Sequence, residues 1–490
     1  VNGPTAQIVL SAYYLVLGIL AVFGAHRLWL LALYYRTRRK LPVEPPEPAT
    51  WPRVTVQLPL YNERYVAARL IRAVAAFDYP HDRLEIQVLD DSDDDTRAIV
   101  AAEVARLQER GQRIIHLHRT GRTGFKAGAL ADGLQVADGE LIAVFDADFV
   151  PASDFLRRTV PYFTDPRSGG SVGMVQARWG HLNRDDSLLT RVQAILLDAH
   201  FLIEHAARCA GGRFFNFNGT AGIWRRRAIV EAGGWQHDTL TEDLDLSYRA
   251  QLAGWRFLFL PQVEVPAELP ANVHAFKRQQ FRWAKGSVQT ARKLLGRVLT
   301  APIPLTTRLE ALFHLTANGC YPLMVALSLL VFPAMAIRWD DDPLVLLRLD
   351  LPVFAFATVS VLVYFLASQV VRGESWRAAA ARLIPLMALG VGLAINNSRA
   401  VLEGLRREVG VFERTPKYCL DGPRERHDSL GRNPGYHVTT DRSALVEGLL
   451  AAFLAGCFAL AGATGMWETL PFLWLFLHGY SYMLYLSLQS

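Results

Sequence analysis

Asp146 and Asp148 stand two residues apart in the run Phe145-Asp146-Ala147-Asp148-Phe149, at the end of an apolar stretch. Two carboxylates spaced in this way at a strand end can share a hard divalent cation and leave coordination positions open for phosphate oxygens. A second acidic cluster, Asp90, Asp91, Ser92, Asp93, Asp94 and Asp95, closes the apolar run 84–89. Taken alone, either cluster also reads as a turn or a helix cap. Lys126 follows Gly124 at the start of a helical stretch, where a cation can balance a phosphate, although a lone lysine there is commonly a solvated surface residue. Thr241-Glu242-Asp243 opens a helix, and Gln279-Gln280-Phe281-Arg282-Trp283 lies in another. Singly, these are a cap and an amphipathic helix with a snorkelling arginine. The chain has neither the phosphate loop of nucleotide triphosphatases nor the glycine fingerprint of dehydrogenases, which argues against both.

The elements that must hold these residues alternate along 54–295. Strand candidates at 54–58, 84–89, 114–118 and 141–145 are separated by helical stretches at 63–76, 96–110 and 126–136. Such alternation predicts an α/β domain, a mostly parallel sheet with helices on both faces. Ligands then bind outside the carboxyl ends of the strands, and both aspartate clusters sit there.

Composition places this domain beside a membrane. The 490 residues are 51% hydrophobic and 20% charged, which excludes a disordered acidic chain. Four cysteines without a Cys-x-x-Cys pair exclude a disulfide scaffold and a zinc knuckle. The net charge of +6 is spread beside apolar runs and forms no block, which points to a membrane surface and to no nucleic-acid partner. Five runs lack charge for about the length that a bilayer requires, 8–25, 311–337, 351–371, 448–467 and 469–490. The first is expected to be a retained anchor, since no small-residue cleavage site follows closely.

Arg36, Arg38, Arg39 and Lys40 after the first run place 41–300 on the cytoplasmic side, and Asp340, Asp341, Asp342 and Asp350 suit the opposite side. Thirteen apolar residues with a proline at 383–395 suit an interfacial helix, not a span. Lys285, Arg292, Lys293 and Arg297 could hold their helix against anionic headgroups. His314, Asn318, Tyr321, Tyr364, Gln369, Tyr480 and Tyr482 could line a path through the spans, or serve equally as helix contacts and interfacial aromatics.

In this order, the motifs resemble glycosyltransferase family 2, and most closely the cellulose-synthase-like membrane synthases of the plant glucomannan-synthase type. The resemblance runs almost continuously over 54–295, through Pro59-Leu60-Tyr61-Asn62-Glu63, Gln87-Val88-Leu89-Asp90-Asp91-Ser92 and Phe125-Lys126-Ala127-Gly128-Ala129-Leu130. It continues through Val175-Gln176-Ala177-Arg178-Trp179, Phe217-Asn218-Gly219-Thr220-Ala221-Gly222 and Ala232-Gly233-Gly234-Trp235. Further on, Phe412-Glu413-Arg414-Thr415-Pro416-Lys417 is similar to the gating loop of cellulose synthases, with Arg414 in place of the usual valine.

The resemblance implies a GT-A fold inserted between about five spans, and inverting transfer of a hexose from a nucleotide diphosphate sugar, UDP-glucose or GDP-mannose. It implies that Tyr61, Glu63 and Asp91, with Asp90, hold the nucleoside and that Lys126 holds the diphosphate. Asp146 and Asp148 would bind Mg2+ or Mn2+ with the diphosphate. Asp243, with Glu242 beside it, would be the base, and Gln279, Arg282 and Trp283 would shape the acceptor and diphosphate site. Phe412, Thr415 and Lys417 would form the gating loop.

The expected organisation is an anchor at 1–42, a cytoplasmic catalytic domain at 43–300 and a membrane region at 301–490. That last region would hold an interfacial helix near 376–408 and the gating-like loop at 409–442. The expected product is a β-linked polysaccharide extended processively and passed across an inner, plasma or Golgi-type membrane. The alternative is a single sugar added to a membrane lipid.

Overall fold

The computed structural model describes residues 3–168, 170–338, 346–406, 410, 417 and 443–489. Seven strands form one sheet: β1 (Val54–Leu60), β2 (Leu84–Asp90), β3 (Ile114–His118), β4 (Leu141–Val144), β5 (Val172–His181), β6 (Gly222–Arg225) and β7 (Arg256–Ala267). Their order is β3-β2-β1-β4-β6-β5-β7. β1 pairs in parallel with β2 and with β4, and β2 with β3, as the alternation predicts. β6 runs antiparallel to both β4 and β5, so the sheet is mixed.

The first four strands and their helices, Ala67–Ala75, Thr96–Gln108 and Phe125–Gln135, fall within a few residues of the sequence reading. β5, β6 and β7 were not read from the sequence. β6 has only four residues, too few to show a period.

Two apolar layers cover the sheet. Leu141 and Ala143 join one and Ile142 and Val144 the other, the period of two expected of a strand buried on both faces. The second layer also receives Leu30, Leu33 and Tyr34 from the first apolar helix, Pro4–Thr37, together with Tyr364. The carboxyl half of that helix is therefore part of the sheet's core.

Among the described residues, four helical segments are long and apolar enough to cross a membrane: Pro4–Lys40, Leu305–Ile337, Arg348–Arg372 and Ser443–Ala463. The expected span at 469–490 does form a helix, Leu470–Gln489, but it is not among the four. Trp474, His478, Tyr480, Tyr482 and Tyr485 dilute its apolar character. Trp376–Gly392 and Ala394–Gly404 form a pair bent by 40° that would make a fifth span if it crossed as one.

Most polar groups in these helices are spent on neighbouring elements. Tyr364 donates to the Ala199 carbonyl and to Glu204 (both 2.9 Å), and Gln369 contacts Arg184 (2.8 Å) and Asp198 (3.2 Å). His314 meets Tyr248 (2.8 Å), and Tyr480 meets Ser328 (3.3 Å). Of the basic residues expected at headgroups, Lys285 pairs with Glu403, Arg292 donates to the carbonyls of Gly404 and Arg406, and Lys293 pairs with Asp238 and Asp245. Lys285 is buried, Lys293 half-buried, and Arg292 and Arg297 are exposed. Three of the four cations are thus engaged by carbonyls and carboxylates of neighbouring segments.

Their helix, Val273–Thr300, also contacts the apolar helices near the carboxyl end of the chain. Lys277 is 1% exposed and pairs at 2.5 Å with Glu447, itself 0% exposed, while donating to Ser443 (3.2 Å) and Ser487 (2.8 Å). Asn396 donates to the Lys277 carbonyl at 2.9 Å. Buried charges persist where they are paired and their remaining hydrogen bonds are met, as here.

Candidate active site

A cleft opens where β1 and β4 part, the point at which the strand order reverses and the place where open α/β sheets bind ligands. Its walls come from segments distant in sequence. After β1, Tyr61 and Glu63 flank Asn62, whose φ of 55° is unusual for a residue with a side chain. The turn is held by Asn62, whose backbone N–H donates to Ser92 Oγ (2.8 Å) and whose amide donates to Asp93 (2.7 Å). After β2, Asp91 accepts two parallel bonds from Arg119 (2.7 and 2.6 Å).

Lys126 enters from the first turn of the helix Phe125–Gln135, behind Phe125 at φ 50°. Its ammonium bonds Asp146 Oδ1 (2.5 Å) and the Gly219 carbonyl (2.8 Å). Asp148 accepts from Lys417 (2.6 Å), which also donates to the Glu268 carbonyl (2.9 Å). Asp146 and Asp148 fit a divalent cation: both offer hard oxygen donors into one cleft, and each is met by an ammonium. Asp243 lies in the first turn of Glu242–Leu252, one oxygen bonded to the Leu244 N–H (2.7 Å). Anions are favoured at a helix start, which suits the pair Glu242 and Asp243.

The far wall is the helix Val273–Thr300, which brings Gln279, Arg282 and Trp283 to the cleft. Gln289 and Thr290 on the same helix hold Leu240 and Thr241 (2.9 and 3.3 Å). Gly286 allows this approach, since a Cβ there would sit 2.8 Å from the Thr241 nitrogen. Trp283 lies 6.5 Å from Trp179, which packs edge-on against Phe149.

Residues 52–286 match the model of the glycosyltransferase-like family 2. Over 265 residues, 53% of this chain, the sequence is 43% identical to glucomannan 4-beta-mannosyltransferase 1 of Oryza sativa subsp. japonica. This segment belongs to glycosyltransferase family 2. The chain spans about half the length of that rice relative (50%). Among solved structures, the mannosyltransferase PcManGT from Pyrobaculum calidifontis, in complex with GDP-Man and Mn2+, aligns with 72% of this chain and 98% of its own. The identity is 24% and the TM-score 0.49. TarS from S. aureus aligns with 64% of this chain and 54% of its own at 14% identity and a TM-score of 0.39.

Tyr61, Glu63, Asp91, Lys126, Asp146, Asp148, Glu242, Asp243, Gln279, Arg282 and Trp283 of this segment line the cleft, joined by Lys417 from outside it. Phe412 and Thr415 lie outside the described residues. Asp90 stands apart from the cleft. It is 0% exposed, and its carboxylate pairs with His116 (2.9 Å) and accepts from the Ser92 N–H (2.9 Å). Burial would raise its pKa, but these bonds outweigh burial and hold it below the usual carboxylate range. Successive residues of a strand end face opposite ways, so Asp91 reaches the cleft and Asp90 meets His116 and His118 on β3. The donor atoms of these three lie within 4.8 Å of one another, a second group with metal-ligand chemistry.

Burial and the adjacent Glu242 charge push the Asp243 carboxyl up to about 7, against the pull of Lys126. Burial likewise raises Glu242. For Lys126, burial opposes the charge, but Asp146 and Glu242 prevail and its pKa lies above the ordinary lysine value. The cleft thus holds a carboxylate that changes charge near neutral pH beside a fixed cation.

The sequence reading assigned no role to Arg122, His181, Asn218 or Glu268, which also line the cleft. Asn218 is positioned by His200, whose ring sits in a π-helical stretch, His200–His205. Its amide donates to His200 Nε2 (2.9 Å), and burial keeps that ring neutral. No periodicity signals a π-bulge, although these often mark functional sites.

Gly219 has φ 81°, and a Cβ on it would meet Asp243 Oδ2 at 3.0 Å and Lys126 Nζ at 3.4 Å. Gly219→Ala is therefore expected to lower kcat by about tenfold while KM for the donor changes less than threefold. Steady-state kinetics check this; an unchanged kcat would show that Asp243 tolerates displacement.

Proposed function

We propose that the chain is an inverting, membrane-bound hexosyltransferase that uses a nucleotide diphosphate hexose, with Mg2+ or Mn2+, to extend a β-linked glycan. The observation that carries this reading is the gathering of Asp146, Asp148, Lys126 and Asp243 in one cleft beside Gln279, Arg282 and Trp283. In this reading the acceptor ring rests on Trp283, and its hydroxyl oxygen attacks the anomeric carbon of the donor as Asp243 removes the proton. The bond from that carbon to the diphosphate oxygen breaks on the opposite face. One base and no carboxylate nucleophile make a single displacement, hence inversion. Lys126 and Arg282 stabilise the charge developing on the diphosphate. A cation held by Asp146 and Asp148 would supply further neutralisation of that leaving group.

Tyr61, Glu63 and Asp91 form the nucleoside side of the cleft. The name of the rice relative supports a mannosyl donor, GDP-mannose, over UDP-glucose. The anchor at 1–42, the catalytic domain at 43–300 and the membrane region at 301–490 form one machine with the cleft facing the cytoplasm. In it the growing glycan leaves through the membrane past the loop at 409–442. The four apolar segments support membrane attachment, and the contact of Val273–Thr300 with Glu447 and Ser487 supports coupling between cleft and spans.

The test is to incubate the purified full chain in lipid nanodiscs with each donor and each cation. A product ladder cut by a β-specific hydrolase is expected. A product carrying one hexose that partitions into organic solvent would instead assign the chain to single-sugar transfer onto a lipid. Consumption of neither donor would overturn the proposal.

A further inference from the structure

Among the described residues, Arg122 is a cation of the cleft whose chemistry the transfer step leaves unused. Arg119 is committed twice, to Asp91 and to Asp132 (3.0 Å). Arg122, three residues later on the loop after β3, makes no side-chain hydrogen bond or ion pair among the described residues. Its Nε is buried and has no hydrogen-bond partner, and its guanidinium carbon lies 3.3 Å from the centroid of the Tyr61 ring. A buried donor without an acceptor is costly, so an arginine left in this state in a ligand cleft is a donor set awaiting a ligand. At 3.3 Å the guanidinium and the ring must lie face to face, so its N–H bonds point sideways in a layer parallel to the ring. A flat ligand entering that layer meets these donors edge-on, the geometry hydrogen bonds require.

Arg122 belongs to the half of the cleft formed by the ends of β1, β2 and β3, with Tyr61 and Asp91. Lys126, Asp146 and Asp148 form the other half. The flat group of a nucleotide sugar is its base. An arginine fork offers only donors and matches two adjacent acceptors. Guanine presents such a pair in O6 and N7, whereas the uracil O4 stands between an N–H and a C–H and can take a single bond.

We infer that Arg122 reads the nucleobase of the donor and selects guanine over uracil, so that the substrate class is a guanosine diphosphate hexose. This rests on the donor site proposed above, and it adds to it the residue that selects the base.

The experiment measures the Kd of GDP and of UDP, with Mg2+ present, by calorimetry on the full chain in nanodiscs. Wild type, Arg122→Gln and Arg122→Lys are compared, each first checked for an unchanged thermal transition. The wild type should bind GDP about tenfold or more tightly than UDP. Both variants should lose that preference, with GDP weakened about tenfold and UDP by less than threefold. The lysine variant separates base reading from simple charge, because it keeps the charge and loses the planar fork. Equal weakening of GDP and UDP in Arg122→Gln, restored by Arg122→Lys, would make Arg122 a diphosphate contact and overturn the inference. An unchanged preference in both variants, or a wild type that prefers UDP, would also overturn it while leaving the glycosyltransferase reading intact. A wild type that binds neither nucleotide would defeat that reading and this inference together.

Discussion

Asp243→Asn is expected to lower turnover by roughly 10²-fold or more while leaving donor affinity within a few-fold of wild type. The amide keeps the size of the carboxylate and can still accept the bond from the Leu244 N–H, so the helix start should not shift. What it loses is the ability to take the acceptor proton. The pH dependence carries a second signature. Burial and the Glu242 charge push Asp243 up to about 7, so in the free enzyme it is protonated below that value and inactive as a base. The wild-type kcat/KM should therefore rise with pH through about 7 and level above it, and the residual rate of Asp243→Asn should lack that limb. Steady-state kinetics from pH 5.5 to 8.5 would measure both. A variant that keeps its saturated rate but loses donor affinity would place the base elsewhere.

Asp148→Ala should abolish cation-dependent transfer, with a loss of about 10² to 10³, because stabilisation of a leaving diphosphate by a cation is worth several kcal/mol. Excess chelator on the wild type should give the same loss, and Mg2+ or Mn2+ should restore it there but not in the variant. Lys417 makes the outcome informative. It bonds Asp148 and the Glu268 carbonyl, so Asp148→Ala frees an ammonium beside the proposed diphosphate site. If that ammonium were the true counter-charge, transfer would survive both chelation and Asp148→Ala, and the requirement for a divalent cation would fall.

The positions of Asp146, Asp148, Lys126 and Asp243 in one cleft follow from features a sequence carries locally. Short β-rich runs ending in acidic clusters announce strand ends, and parallel strands put those ends on one edge. The apolar helices are equally legible, because a bilayer imposes a minimum length on an uncharged run. Which neighbour a side chain meets is a different matter. Asp90 and Asp91 are identical in type and adjacent in sequence, and only the pleat of β2 and the register with β3 send the first to His116 and the second to the cleft. Arg119 and Arg122 likewise differ only in which carboxylates lie within reach.

Lys285, Arg292 and Lys293, candidates for headgroup contact, are engaged by Glu403, the Gly404 carbonyl and Asp238, partners that no local pattern announces. The sequence by itself thus determined the fold class, the membrane helices and the chemical types gathered at the strand ends, because each is encoded by short-range pattern. Tertiary packing settled the antiparallel β6, the burial of Asp90 and Lys277 and, among the described residues, the lack of a hydrogen-bond partner for Arg122 Nε. Each of those depends on long-range packing that brings together, or fails to bring together, groups the chain keeps far apart.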